Sequence, residues 1–199
     1  MKFPEFSKET DALLLQEGWV PLKEPRNMAT AILTSIPFMI ILGIGSFLII
    51  SLFAPFSLQE FGVNPVNGNF SFKINLLFLP VAIAVILLHE LIHVFFIPGF
   101  LHDDHVYFGL TWFGGFAYTG NIISRERFIL VAVMPFFFLS VILPAILGLS
   151  GALSLPLKLL ILLNAMASAV DVLNVVIVLM QVPGNGKLIM NGQLSYYRK

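Results

Sequence analysis

The sequence predicts an all-α membrane protein with about four transmembrane helices and a β-hairpin between the second and the third. Three observations predict it. The 199 residues are 58% hydrophobic and only 11% charged, against about 45–50% and about 25% in ordinary soluble domains. The apolar excess falls into four long runs, and crossing a bilayer takes roughly 20 apolar residues at 1.5 Å each. The stretch between the second and third runs is instead rich in β-branched and aromatic residues around a pair of glycines. The same composition excludes a soluble enzyme and a disordered chain. It also argues against nucleic acid as a partner, because 11 Lys+Arg balance 11 Asp+Glu and no basic face is left to meet phosphates. With no cysteine, disulfides, thiolate ligands and a cysteine nucleophile are ruled out.

The chain divides into three regions: residues 1–29, a cytoplasmic N-terminal segment; 30–181, a four-helix membrane core; and 182–199, a cytoplasmic tail. Twenty-nine mostly polar residues precede the first run without a small-residue cleavage pattern after it, so a signal peptide is not expected. Ser7 to Gly18 reads as a short helix stopped by glycine, and Trp19 suits a membrane interface. The runs extend from about Thr30 to Ala54, Ile74 to Ile97, Phe128 to Leu149 and Leu157 to Gln181. Pro55, Pro98 and Pro183 stand just past three of them as stop signals. Pro37, Pro135 and Pro144 lie inside and are expected to kink the helices.

Lys and Arg in short loops set orientation. Lys2, Lys8, Lys23, Arg26, Arg125, Arg127, Lys187, Arg198 and Lys199 fall on one side, and Lys73 and Lys158 on the other. This places both termini and the second loop in the cytoplasm of a multi-pass protein.

Ionisable groups at mid-bilayer cost several kcal/mol, roughly, and mark functional sites. Here they are His89, Glu90 and His93 on the second helix and Asp171 on the fourth. His89-Glu90-Leu91-Ile92-His93 puts two imidazoles at i and i+4 on one helix face, where both can bind one ion. Glu90 beside them can accept a proton from water. A third ligand is then needed. His89 lies 15 residues past Ile74 and Asp171 lies 14 past Leu157, so both sit about 22 Å below the outer surface. The rivals are the loop His102-Asp103-Asp104-His105, read as a solvated turn, and Glu126. Asn164, Ser168, Asp171 and Asn174 recur at helical steps and form one polar stripe. Ser168 and Asn174 can orient the carboxylate. Asn164 can hold a substrate backbone or an oxyanion, or serve as a helix–helix hydrogen bond.

Val106 to Ile123 carries Gly114-Gly115 at its middle, which predicts a hairpin turning there between strands of about eight residues. Such a hairpin either holds an extended substrate by strand addition or anchors the chain at the interface by its aromatics.

The His-Glu motif followed by an Asp on a later helix resembles the intramembrane site-2 proteases. Glu17-Gly18-Trp19 with Pro25, the motif itself, Ser124-Arg125-Glu126-Arg127 with Pro135, and Ser168 to Asp171 resemble more closely a bacterial family of small four-helix membrane proteins, the putative zincin peptidases. The resemblance implies a zinc ion held by His89, His93 and Asp171, with Glu90 as catalytic base, in a bacterial cell membrane. It departs from site-2 proteases in having Val172 after Asp171 and no proline between Asn164 and Asp171. The function expected is a membrane-embedded zinc metalloprotease that hydrolyses peptide bonds within or next to the bilayer, its partners being lipid and a peptide or transmembrane protein substrate. The alternative is a non-proteolytic membrane metal-binding protein, its metal structural or transported, or a partner-binding pseudo-protease.

Overall fold

A computed structural model describes residues 5–25, 27–63, 69, 71, 76–101, 106–111 and 114–199. Lys2, Arg26, Lys73, Ile74 and the loop His102-Asp103-Asp104-His105 lie outside the described residues. Among the described residues the chain is mostly helical, with four helices long and apolar enough to cross a membrane: Met28–Phe53, Phe78–Phe96, Arg125–Leu149 and Leu155–Gln181. The first, α2 (Met28–Phe53), follows a short helix α1 (Lys8–Gln16) and a two-residue strand β1 (Val20–Pro21). The second is α3 (Phe78–Phe96).

Local chemistry sets these boundaries. Ser7 caps α1 by accepting from the Thr10 N–H, and Gly18 comes after it in a left-handed conformation. Asn27 and Thr30 form a reciprocal capping box at the start of α2, which satisfies amides that the helix itself leaves unpaired. Both α2 and α3 stop just short of a proline that cannot continue them.

Between the second and third helices, β2 (Val106–Thr111) pairs with β3 (Gly114–Thr119) in an antiparallel hairpin. Thr111 pairs with Gly114. Gly114 and Gly115 thus belong to the second strand, Trp112 and Phe113 lie outside the described residues, and each strand has six residues rather than eight. The glycines open the second strand; they do not form the turn. A strand β4 (Ile123–Ser124) leads into the third membrane-length helix, which has three parts: α4 (Arg125–Phe136), a π-helical turn at Phe137–Ile142, and α5 (Leu143–Leu149). The fourth is also divided. α6 (Leu155–Ala167) and α7 (Ala169–Gln181) meet at Ser168, where the sequence alone suggests one uninterrupted helix.

The last residues form an ordered hairpin, β5 (Lys187–Asn191) and β6 (Leu194–Arg198). Gly192, at φ 60°, takes the first central position of its two-residue turn, where a side chain would be strained. With β1 and β4 these strands build an antiparallel sheet in the order β1-β6-β5-β4. By connectivity, the sheet sits at the end where α2 and α4 begin and α7 finishes. Leu22, Ile123, Val178, Val182 and Leu188 bury together there and fasten it to α7. Trp19 is only 2% exposed, packed with Leu14 and Tyr196 beneath the Arg198 guanidinium 4.8 Å from its ring. It is a core residue of this small layer, at the end where the membrane-length helices α2 and α4 begin.

At the opposite end, Lys158 is buried and its Nζ reaches Glu60 Oε1 at 2.8 Å and the Pro55 carbonyl at 3.1 Å. That hydrogen bond holds the Glu60 carboxyl below its usual range and ties the first loop to α6. The large apolar side chains of α2, including Leu33, Ile41 and Leu52, are exposed, as expected of a helix bathed in an apolar solvent rather than water.

Glu24 enters the sheet layer as a carboxyl that accepts from the Ser195 N–H at 2.6 Å. Burial pushes it up to about 7, against the lowering effect of that hydrogen bond. The folded chain therefore holds a proton that the unfolded chain releases near 4.5. Stability from this group should be fully present below about pH 4.5 and lost by about pH 7, a change on the order of 1–3 kcal/mol. Glu24→Gln keeps the acceptor but cannot ionise. Thermal unfolding of the solubilised protein from pH 4 to 8 should show a shallower decline for the variant; identical slopes would contradict the buried-proton assignment.

Candidate metal centre

α3 brings His89 and His93 to one face, one turn apart, both less than 10% exposed in a helix that, apart from them and Glu90, is apolar. Asp171 arrives from the first turn of α7, just past the break at Ser168. A helix N-terminus favours a carboxylate. His89 Nε2 lies 3.2 Å from His93 Nε2 and 3.2 Å from Asp171 Oδ2; His93 Nε2 lies 3.5 Å from Asp171 Oδ1. Among the described residues, this is the group of His and acidic side chains that could hold a metal ion, its ligand atoms all within 4.8 Å of one another.

The protonation pattern explains why a cation fits. A neutral imidazole has one donor and one acceptor nitrogen. His93 donates from Nδ1 to the Val131 carbonyl at 2.8 Å, an oxygen that can only accept. Val131 is available for a reason: its normal helical donor would be the amide of residue 135, and Pro135 has none. His89 Nδ1 donates to Asn164 Oδ1 at 2.9 Å. Both Nε2 atoms therefore present lone pairs to each other and to a carboxylate. Buried electron pairs that face one another without a hydrogen are unfavourable. Only positive charge, a proton or a metal ion, resolves the arrangement, and three convergent donors suit the ion. Tetrahedral zinc with bonds of about 2.0–2.1 Å separates its ligand atoms by roughly 3.3–3.4 Å, close to the spacing found.

Glu90 is adjacent, 8% exposed, and among the described residues its carboxylate accepts no hydrogen bond. The hairpin crosses directly over it. A Cβ at Gly115 would collide with Glu90 Cγ and Oε1 and lie 2.6 Å from Cδ. Gly115 is thus where the strand backbone approaches Glu90 too closely for any side chain. Tyr118, three residues on, donates to the Met190 carbonyl at 3.0 Å and so fastens β3 to β5; burial raises its phenol.

The polar stripe divides by role. Asn164 meets His89 and also donates from Nδ2 to Ser140 Oγ at 2.9 Å. Ser168 is fully buried, and its hydroxyl donates to the Asn164 carbonyl at 3.0 Å, so it meets Asn164 rather than the Asp171 carboxylate. Asn174 is half-buried and, among the described residues, makes no hydrogen bond to Asp171. Glu126 lies in the first turn of α4 and is not one of the grouped ligands. Ser140, Val131 with Pro135, and Gly115 are site positions that the sequence did not announce; Pro135 looks like a kink there and Gly115 like a turn.

The model of a family described as putative zincin peptidase matches residues 82–186, more than half of the chain. The chain belongs to this family. No curated protein and no solved structure matches it. The matched stretch of this zincin-family chain runs from α3 through the hairpin to the end of α7, so it contains every residue of the cluster and its supports. The family's description implies a zinc-dependent peptidase, and the two imidazoles and one carboxylate are donors suited to zinc.

Zinc should bind this cluster at about one ion per chain and stabilise the fold through linkage, by roughly 2.7 kcal/mol when free zinc is 100 times Kd. His89→Ala and Asp171→Ala should each lose both the bound zinc and the zinc-dependent rise in Tm. Elemental analysis with thermal unfolding checks this; a zinc-induced rise in Tm that survives Asp171→Ala would remove Asp171 from the site.

Proposed function

We propose that the protein is a membrane-embedded zinc metallopeptidase that cleaves peptide bonds within or next to the bilayer. One observation carries the reading: two imidazoles and a carboxylate converge between two membrane-length helices, with a buried Glu90 carboxylate beside them. His89, His93 and Asp171 would hold the ion. When bound, zinc supplies Lewis-acid polarisation of a carbonyl and lowers the pKa of water. Glu90 takes the proton of the attacking water and delivers it to the leaving amine. With no hydrogen-bond partner among the described residues, both its oxygens are available for that exchange.

The remaining residues orient these groups. Val131 and Asn164 hold the two rings with Nε2 towards the centre, and the break at Ser168 sets the position of Asp171. The hairpin passes over Glu90, which supports a substrate held in extended form beside β3. The sheet-bearing end would face the cytoplasm, in accord with the excess of Lys and Arg there. A structural metal would be closed by four protein ligands, whereas a catalytic one keeps a position for substrate or water. Three ligands converge among the described residues, and the carboxylate at Glu90 favours the enzyme, since a structural or transported metal does not require one at that position of the motif.

Glu90→Gln keeps size and polarity but cannot accept the proton. It should retain zinc and lower hydrolysis of membrane-peptide substrates by at least about 100-fold. Full activity in this variant would refute the mechanism. Gly115→Ala should displace the Glu90 side chain and also lower hydrolysis without reducing zinc content; wild-type turnover would show that the strand does not set the position of Glu90.

A further inference from the structure

The third membrane-length helix gives no ligand to the cluster, yet its one serine is completely buried beside it. Ser140 lies on the π-helical turn at Phe137–Ile142, where the Leu143 N–H reaches back five residues to the Phe138 carbonyl. One extra residue in a turn rotates the next part of the helix, and such turns often mark functional positions. Ser140 is fully buried. Its hydroxyl lies 3.4 Å from the Ile161 carbonyl on α6 and 2.9 Å from Asn164 Nδ2.

These contacts have a direction. The Ile161 carbonyl can only accept, so the Ser140 hydroxyl donates to it. Ser140 Oγ then has lone pairs left and accepts from the Asn164 amide. That commits Nδ2 of Asn164 to the serine and turns Oδ1 towards His89. Oδ1 can only accept, so His89 carries its proton on Nδ1 and leaves Nε2 open. Were the Asn164 amide reversed, its N–H would face His89 Nδ1 and the ring would carry its proton on Nε2, closed to a metal.

We infer that Ser140 is a positioning residue for the metal centre: it fixes the Asn164 amide orientation and, through it, the His89 tautomer that leaves Nε2 able to bind. The inference rests on the metal-centre reading and adds to it a residue outside the ligand set. Partners of this kind, which orient a ligating histidine, change metal affinity by about 10- to 100-fold.

The test compares zinc affinity, by competition with a chromophoric chelator, for Ser140→Ala in two backgrounds: the native Asn164 and Asn164→Asp. A carboxylate at 164 has no donor face, so it accepts from His89 whichever way it turns and needs no serine to orient it. The expected result is a loss of roughly 10- to 100-fold in the native background and agreement within about twofold in the Asn164→Asp background. Equal losses in both backgrounds would show that Ser140 acts only by packing, and no loss in the native background would overturn the inference outright. A wild-type protein that binds no zinc would instead defeat the metal-centre reading itself, and this inference with it.

Discussion

The centre of this molecule depends on one electrostatic constraint: three sets of electron pairs, two on buried imidazoles and one on a partly buried carboxylate, meet with no proton between them. His89 Nε2, His93 Nε2 and the Asp171 carboxylate lie 3.2–3.5 Å apart. In water such a group would disperse at little cost. In a helix interface it persists because each member is held from behind. Val131 and Asn164 take the two Nδ1 protons. Ser168 ends α6 and lets α7 restart with Asp171 in its first turn.

Much of the irregular geometry serves that requirement. A straight third helix would have an amide at 135 to occupy Val131, and no π turn to bring Ser140 beside Asn164. A continuous fourth helix would place Asp171 in mid-helix, without the favourable field of an N-terminus. Departures from regular helix cost energy, and they cluster where a site must be held. The sheet contributes at a distance. β3 crosses Glu90 at Gly115, and Tyr118 fastens that strand to β5. The position of the strand above the site is thereby tied to a hairpin near the C-terminal residue.

Four apolar runs were legible because a stretch of roughly 20 apolar residues matches the thickness of a bilayer core and little else. The i, i+4 histidines were legible because two imidazoles and a carboxylate inside such a run require a common purpose. Asp171 was legible as the one acidic residue of the fourth run, at a level close to His89 when rise is counted from the start of each run. Ser140 and Val131 were not, since one is an ordinary buried serine by type and the other acts through a backbone carbonyl. Pro135 was visible, but a kink and a freed carbonyl look alike in sequence. Gly114-Gly115 suggested a turn because glycine pairs favour turns; close approach to Glu90 is a tertiary demand that no local rule encodes. The last hairpin had a usable signal, Asn191-Gly192 between β-prone stretches, which is easily passed over when the segment is taken for a tail. Trp19 suits an interface by type; its burial against Leu14 and Tyr196 depends on long-range contacts that no local rule encodes.

The proposed zinc ion joins α3 and α7 through two imidazoles and a carboxylate. X-ray absorption at the zinc edge of the zinc-loaded protein tests this arrangement most directly. The expected spectrum shows a four-coordinate nitrogen and oxygen shell at about 2.0 Å with the outer-shell scattering of two imidazole rings. Six-coordinate oxygen ligation without imidazole scattering would contradict it.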